Sequence, residues 1–141
     1  MDRHGSMTTD VGREYIAYCR RRLLKEYFPK IERCVNELSE DDMWWRTHET
    51  DNRIVNLLLH LSGNIRQWII SGLGDTPDKR DRAKEFSERE GIPKTVLLKN
   101  LEATLREADS VLANFDTSRL LEVRHFQVFD VTCLDALSHV V

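Results

Sequence analysis

The 141-residue sequence has no apolar run near the roughly 18 residues a membrane-spanning helix needs, so no transmembrane segment is expected. Six glycines and three prolines are few, which disfavours a turn-rich all-β fold. The three cysteines, Cys19, Cys34 and Cys133, form no CxxC pair. Their odd number and wide spacing argue against a disulfide framework and a cysteine-based zinc site. Each sits among apolar neighbours at helical spacing and reads as a small buried core residue, in keeping with a reducing, cytoplasmic compartment. There is no Gly-x-Ser-x-Gly elbow, no phosphate loop and no dinucleotide fingerprint. Neither sign of charge dominates: 21 basic residues stand against 24 acidic ones, so no global field recruits nucleic acid or a membrane surface.

What is present is the composition of an ordinary globular domain, 40% hydrophobic and 32% charged. Residues 1–9, with Gly5-Ser6 before a second methionine and no hydrophobic region, read as a tag-like or disordered start. Residues 10–141 read as one helical domain. A first helix is expected from about Asp10, capped by Thr9 or Asp10, to Leu38. Its stripe is Tyr15, Cys19, Leu23, Tyr27, Ile31, Cys34 and Leu38, and Pro29 should bend it. A polar connector, 39–51, carries Trp44 and Trp45, one for the core and one for a groove or interface.

The second helix is expected over 52–71, capped by Asp51 or Asn52, with Ile54, Leu57, Leu58, Leu61, Ile65, Trp68 and Ile69 toward the core. A long loop over 72–92 follows, and connections of that length are usually functional. The third helix starts near Pro93 and carries Leu98, Leu101, Leu105, Ala108, Leu112 and Phe115. Residues 121–130 alternate partly at period two and suit an extended segment or a crossover. Thr132, with Asp135 three residues on, caps a fourth helix bearing Leu134, Leu137 and Val141. That helix is short at the last residue and is read as truncated.

Chemistry-bearing residues concentrate on the second helix. Asn56, His60, Gly63 and Gln67 follow one another at steps of four, three and four, and so share one face beside the core stripe. His60 is the leading metal-ligand candidate, with Asn56 and Gln67 as pocket groups that would orient it. One imidazole is not a site, since catalytic zinc takes three protein ligands. His139, on the last helix with Asp135, is the second candidate. His48 and His125 fall in connectors and read as exposed; His4 belongs to the start. Arg20 to Lys25 is a basic run that reads as a solvated face, with DNA binding the weakest alternative.

The stretch Asn52-Arg-Ile-Val-Asn-Leu-Leu-Leu-His60-Leu-Ser-Gly-Asn-Ile-Arg-Gln-Trp68 resembles the second helix of the DinB/YfiT-like superfamily. Trp44-Trp45 before it, the Gly72-Leu-Gly74 to Phe86 loop and Leu137-Ser-His139-Val-Val141 add to the likeness, which covers roughly Val11 to the end. The resemblance implies an all-α, DinB-like up-down four-helix bundle with a long loop between helices 2 and 3. It also implies a homodimer and a divalent metal, zinc or nickel, held by three histidines. His60 matches the first of these ligands. The other two would fall one and two turns past His139, which itself matches a position just ahead of the pair. Arg53 departs from the family, where serine is common. Characterised relatives include S-transferases and isomerases that use a low-molecular-weight thiol. The expectation is therefore a metal-binding bundle related to them, against the alternative of a metal-free dimerising helical module.

Overall fold

The structure is a computed structural model that describes the backbone of residues 3–87 and 91–141 and the side chains of residues 11–87 and 91–141. It is mostly helical, with one small hairpin. The first rod runs from α1 (Arg3–Arg21) through a π-helical turn, Arg22–Tyr27, into α2 (Phe28–Asn36). The backbone passes helically through Thr9 and Asp10, the residues expected to cap it. The π turn answers the problem posed by Pro29. Phe28 N–H reaches back five residues to the Leu23 carbonyl, and the wider turn seats the proline in the first turn of α2, where no donor is missed.

That extra residue also shifts the buried face. After Cys19 and Leu23 the buried positions are Phe28 and Val35, while Tyr27 and Ile31 are only partly buried and Cys34 is exposed. The uninterrupted stripe expected from the sequence fails here because one inserted residue advances every later side chain around the axis.

The connector contains a short helix, α3 (Glu40–Trp44), started by a reciprocal cap: Asp42 N–H donates to Ser39 Oγ at 3.1 Å and Ser39 N–H to Asp42 Oδ2 at 2.8 Å. Trp44 packs against the core, whereas Trp45 is 68% exposed. The next rod, α4 (Ile54–Ile65), ends in a second π-helical turn, Arg66–Ser71. Its cap is Arg53, whose N–H donates to Asn56 Oδ1, rather than Asp51 or Asn52. Leu57 and Leu61, placed in the core stripe by sequence, are exposed; Val55, Leu58, Ile65, Trp68, Ile69 and Ile70 are buried.

Within the long loop lies α5 (Arg82–Ser87), packed on α4. The longest single stretch is α6 (Lys94–Ala113), which buries Leu97, Leu98, Leu101, Leu105, Ala108 and Leu112 against α1, α2 and α4. Residues 121–130 are extended, as one of the two expectations had it, and not a crossover. They form most of an antiparallel hairpin, β1 (Val123–Phe126) with β2 (Phe129–Thr132), Phe126 pairing with Phe129 across a Gln127-Val128 turn. The capping expectation for α7 (Cys133–Val140) holds: Asp135 N–H donates to Thr132 Oγ1 at 3.0 Å.

Candidate functional site

The polar face of α4 is covered by the loop that follows it. Arg80 and Glu85 lie against it with side chains 3% and 9% exposed. Their bond is bidentate, Nε to Oε2 at 2.8 Å and Nη2 to Oε1 at 2.9 Å. Arg80 Nη1 also donates to Gln67 Oε1 at 2.8 Å. Asn56 Nδ2 donates to the Glu85 carbonyl at 3.0 Å, and Gln67 Nε2 to Asp78 Oδ2 at 2.8 Å.

The glycine of the four-residue face is what lets the ion pair in. A Cβ at Gly63 would fall 2.0 Å from Glu85 Oε2 and 3.0 Å from Arg80 Nε. Taking both charges out of water is tolerable because the pair is bidentate and Arg80 Nη1 also finds an acceptor in Gln67.

His60 joins this network through one nitrogen. Its Nδ1 stands 3.3 Å from Glu85 Oε1 and 3.0 Å from Arg80 Nη2, and its ring tilts against Phe86 at 5.2 Å between centroids. Among the described residues Nε2 has no hydrogen-bond partner, and the side chain is 31% exposed. Arg80 can only donate and Glu85 only accept, so the two contacts demand opposite tautomers. With Nδ1–H donated to Glu85, Nε2 carries a free lone pair; with Nδ1 accepting from Arg80, Nε2 carries the proton.

The sequence thus places Asn56, His60 and Gln67 correctly on one face, and the fold joins them through Arg80 and Glu85. Those two residues come from the long loop, where no helical period places them. His139 lies elsewhere, its ring 4.6 Å from that of Trp68. Among the described residues no three His, Cys, Asp or Glu side chains gather as a metal-holding group, so the described chain supplies one oriented imidazole. His125 is exposed and paired with Asp130 at 2.9 Å, and His48 is exposed. Buried Cys19 and Cys133 are held neutral, burial pushing both thiols up. No described helix is long and apolar enough to cross a membrane.

Over residues 10–128 the chain matches the family described as Protein of unknown function (DUF1572), a member of the DinB-like clan. No curated protein and no solved structure matches it.

Proposed function

The chain belongs to the DUF1572 family, and from that premise we propose that it is a divalent-metal-binding four-helix-bundle protein in which His60 Nε2 is one ligand. The observation that carries this is the His60–Glu85 contact. Metal-binding histidines characteristically donate their second ring N–H to a carboxylate, which fixes the tautomer and raises ligand basicity. Glu85 stands in that place, itself held by Arg80 and by Asn56 through its carbonyl. What such an ion supplies when bound is a lowered pKa for a coordinated thiol or water, the chemistry of thiol-dependent S-transferases in the superfamily that the sequence resembles.

The test is titration with Zn²⁺ and with Ni²⁺ of protein purified without chelators, followed by elemental analysis. Full-length wild type, with the two further histidines expected past His139, should retain one ion per chain, and full-length His60→Ala should lose it. Wild type that retains none, or a His60→Ala variant that binds equally well, ends this reading.

One contact favours a second reading, the 3.0 Å approach of Arg80 Nη2 to the same Nδ1. In that tautomer His60 is an acceptor that locks the loop, and the protein is a metal-free helical module that dimerises through exposed Trp45. Ring-nitrogen chemical shifts of His60 separate the two, because protonated Nδ1 belongs to the first reading and protonated Nε2 to the second. Light scattering that shows a monomer at micromolar concentration removes the dimer.

A further inference from the structure

Four residues that the sequence marks for the core fall short of it. Tyr27 and Ile31 on the first rod are only partly buried, and Leu57 and Leu61 on α4 are exposed. Three of the four meet in one place: Tyr27, Ile31 and Leu61 line a groove of about 270 Å³ between the two rods, floored by buried Leu101 and Leu105 of α6. Leu57 stands one turn on from Leu61, on the same face of α4. Lys30 is a charged group of the lining and has no ion pair among the described residues. Apolar side chains at helical spacing, left open on two neighbouring rods, form a surface that suits another helix.

The end of α7 reaches this groove. Ser138 meets Tyr15 on α1 and His139 meets Trp68, whereas Val140 and Val141 line the groove with Ile65 and Leu61. The helix therefore runs antiparallel to α4 and in the same direction as the first rod. Val141 N–H donates to the Leu137 carbonyl at 3.1 Å, so the backbone is still in helical register at that residue. A straight continuation passes over Leu61 and then over Leu57.

We propose that in the full-length protein the chain past Val141 extends α7 as an amphipathic helix that fills this groove. Its apolar face packs on Ile31, Leu57 and Leu61, and an acidic residue stands opposite Lys30. From Leu61 back to Ile54, α4 spans about 10 Å, so about seven further residues, two turns, cover the open leucines. The proposal stands whether or not His60 binds metal.

The test is maleimide labelling in the presence of a chelator, with Cys34→Ser removing the exposed native thiol. Leu61→Cys should react about tenfold more slowly in the full-length protein than in the chain that ends at Val141. Val128→Cys, on the exposed hairpin, should react equally in both. Within the full-length protein alone, Leu57→Glu should lower Tm by about 5 °C. Equal Leu61→Cys rates in the two chains overturn the proposal, as does a full-length Tm unmoved by Leu57→Glu. Protection of Leu61→Cys that fades on dilution assigns the groove to a second copy and overturns it too. A protein that ends naturally at Val141 does the same.

Discussion

Two places along the α4 rod have a histidine, His60 on the rod itself and His139 on α7 against Trp68, and they are built on opposite terms. Around His60 the polar side chains are used several times over: Asn56 bridges Arg53 and Glu85, Gln67 bridges Arg80, Asp78 and Gln127, and Arg80 makes bonds from all three of its nitrogens. Around His139 the Trp68 indole N–H, the Asp135 carboxylate and the imidazole make no side-chain hydrogen bond among the described residues. Residue type does not separate the two places, since each has a histidine, an acid and an aromatic ring. Saturation does. A saturated buried network fixes one loop position and presents one free nitrogen, whereas the groups around His139 are positioned by ring packing and not by side-chain hydrogen bonds.

The largest effect expected is on the saturated side. Glu85→Ala leaves the Arg80 guanidinium buried without its counter-charge and should cost about 3–5 kcal/mol in denaturant unfolding. A cost under about 1 kcal/mol would mean that the loop swings out and hydrates Arg80, so that the face is not a fixed support.

Next come the two glycines that admit each region's partner. Gly63→Ala meets Glu85 Oε2 at 2.0 Å, and Gly72→Ala meets the Phe126 ring at 2.3 Å and the Trp68 carbonyl at 2.4 Å. Each should cost about 1–3 kcal/mol as overpacking, but with different readouts. Gly63→Ala should open the 75–87 loop to proteolysis and leave the Trp68 indole resonance in place. Gly72→Ala should do the reverse. Identical proteolysis and spectra in both variants would show the two regions to be one cooperative unit.

The saturated face was half legible in the sequence. Steps of four, three and four put Asn56, His60, Gly63 and Gln67 together because a helix has one period and no alternative. Arg80 and Glu85 were not legible, since a loop residue finds its place by docking rather than by period. The signals were the length of the loop and its share in the family resemblance. The surroundings of His139 were hidden for another reason. Trp68 fits the core stripe perfectly well as an apolar residue, and periodicity says nothing about whether its N–H finds an acceptor. Periodicity itself failed at 22–27, where one π turn moved the buried positions from Tyr27 and Cys34 to Phe28 and Val35.

A smaller effect concerns how the hairpin is held against Trp68. Arg124 ties it to the end of the α4 rod, donating to the Gly72 and Leu73 carbonyls, and Glu122 braces Arg124 at 2.9 Å. Hydrogen bonds from Arg119 and Arg124 lower the Glu122 carboxyl from 4.5 to about 2. A carboxylate depressed in the folded state stabilises fully above its unfolded value and loses that contribution as pH falls through the folded one. Protection factors of β1 and β2, taken relative to intrinsic exchange, should therefore fall between pH 4.5 and about 2, and Glu122→Gln should remove that dependence. A hairpin whose exchange tracks global unfolding throughout would show that Glu122 is not its brace.

The smallest effect is the sharpest test of the comparison. Asp135→Ala removes a carboxylate, as Glu85→Ala does, but from a position with no side-chain partner among the described residues. Only its place in the first turn of α7 gives it a role in stability, through the helix dipole, worth about 0.5 kcal/mol. The same chemical change should thus cost several times less here than at Glu85. If Asp135→Ala instead costs more than about 2 kcal/mol, the carboxylate is already spoken for and the surroundings of His139 belong with the saturated face.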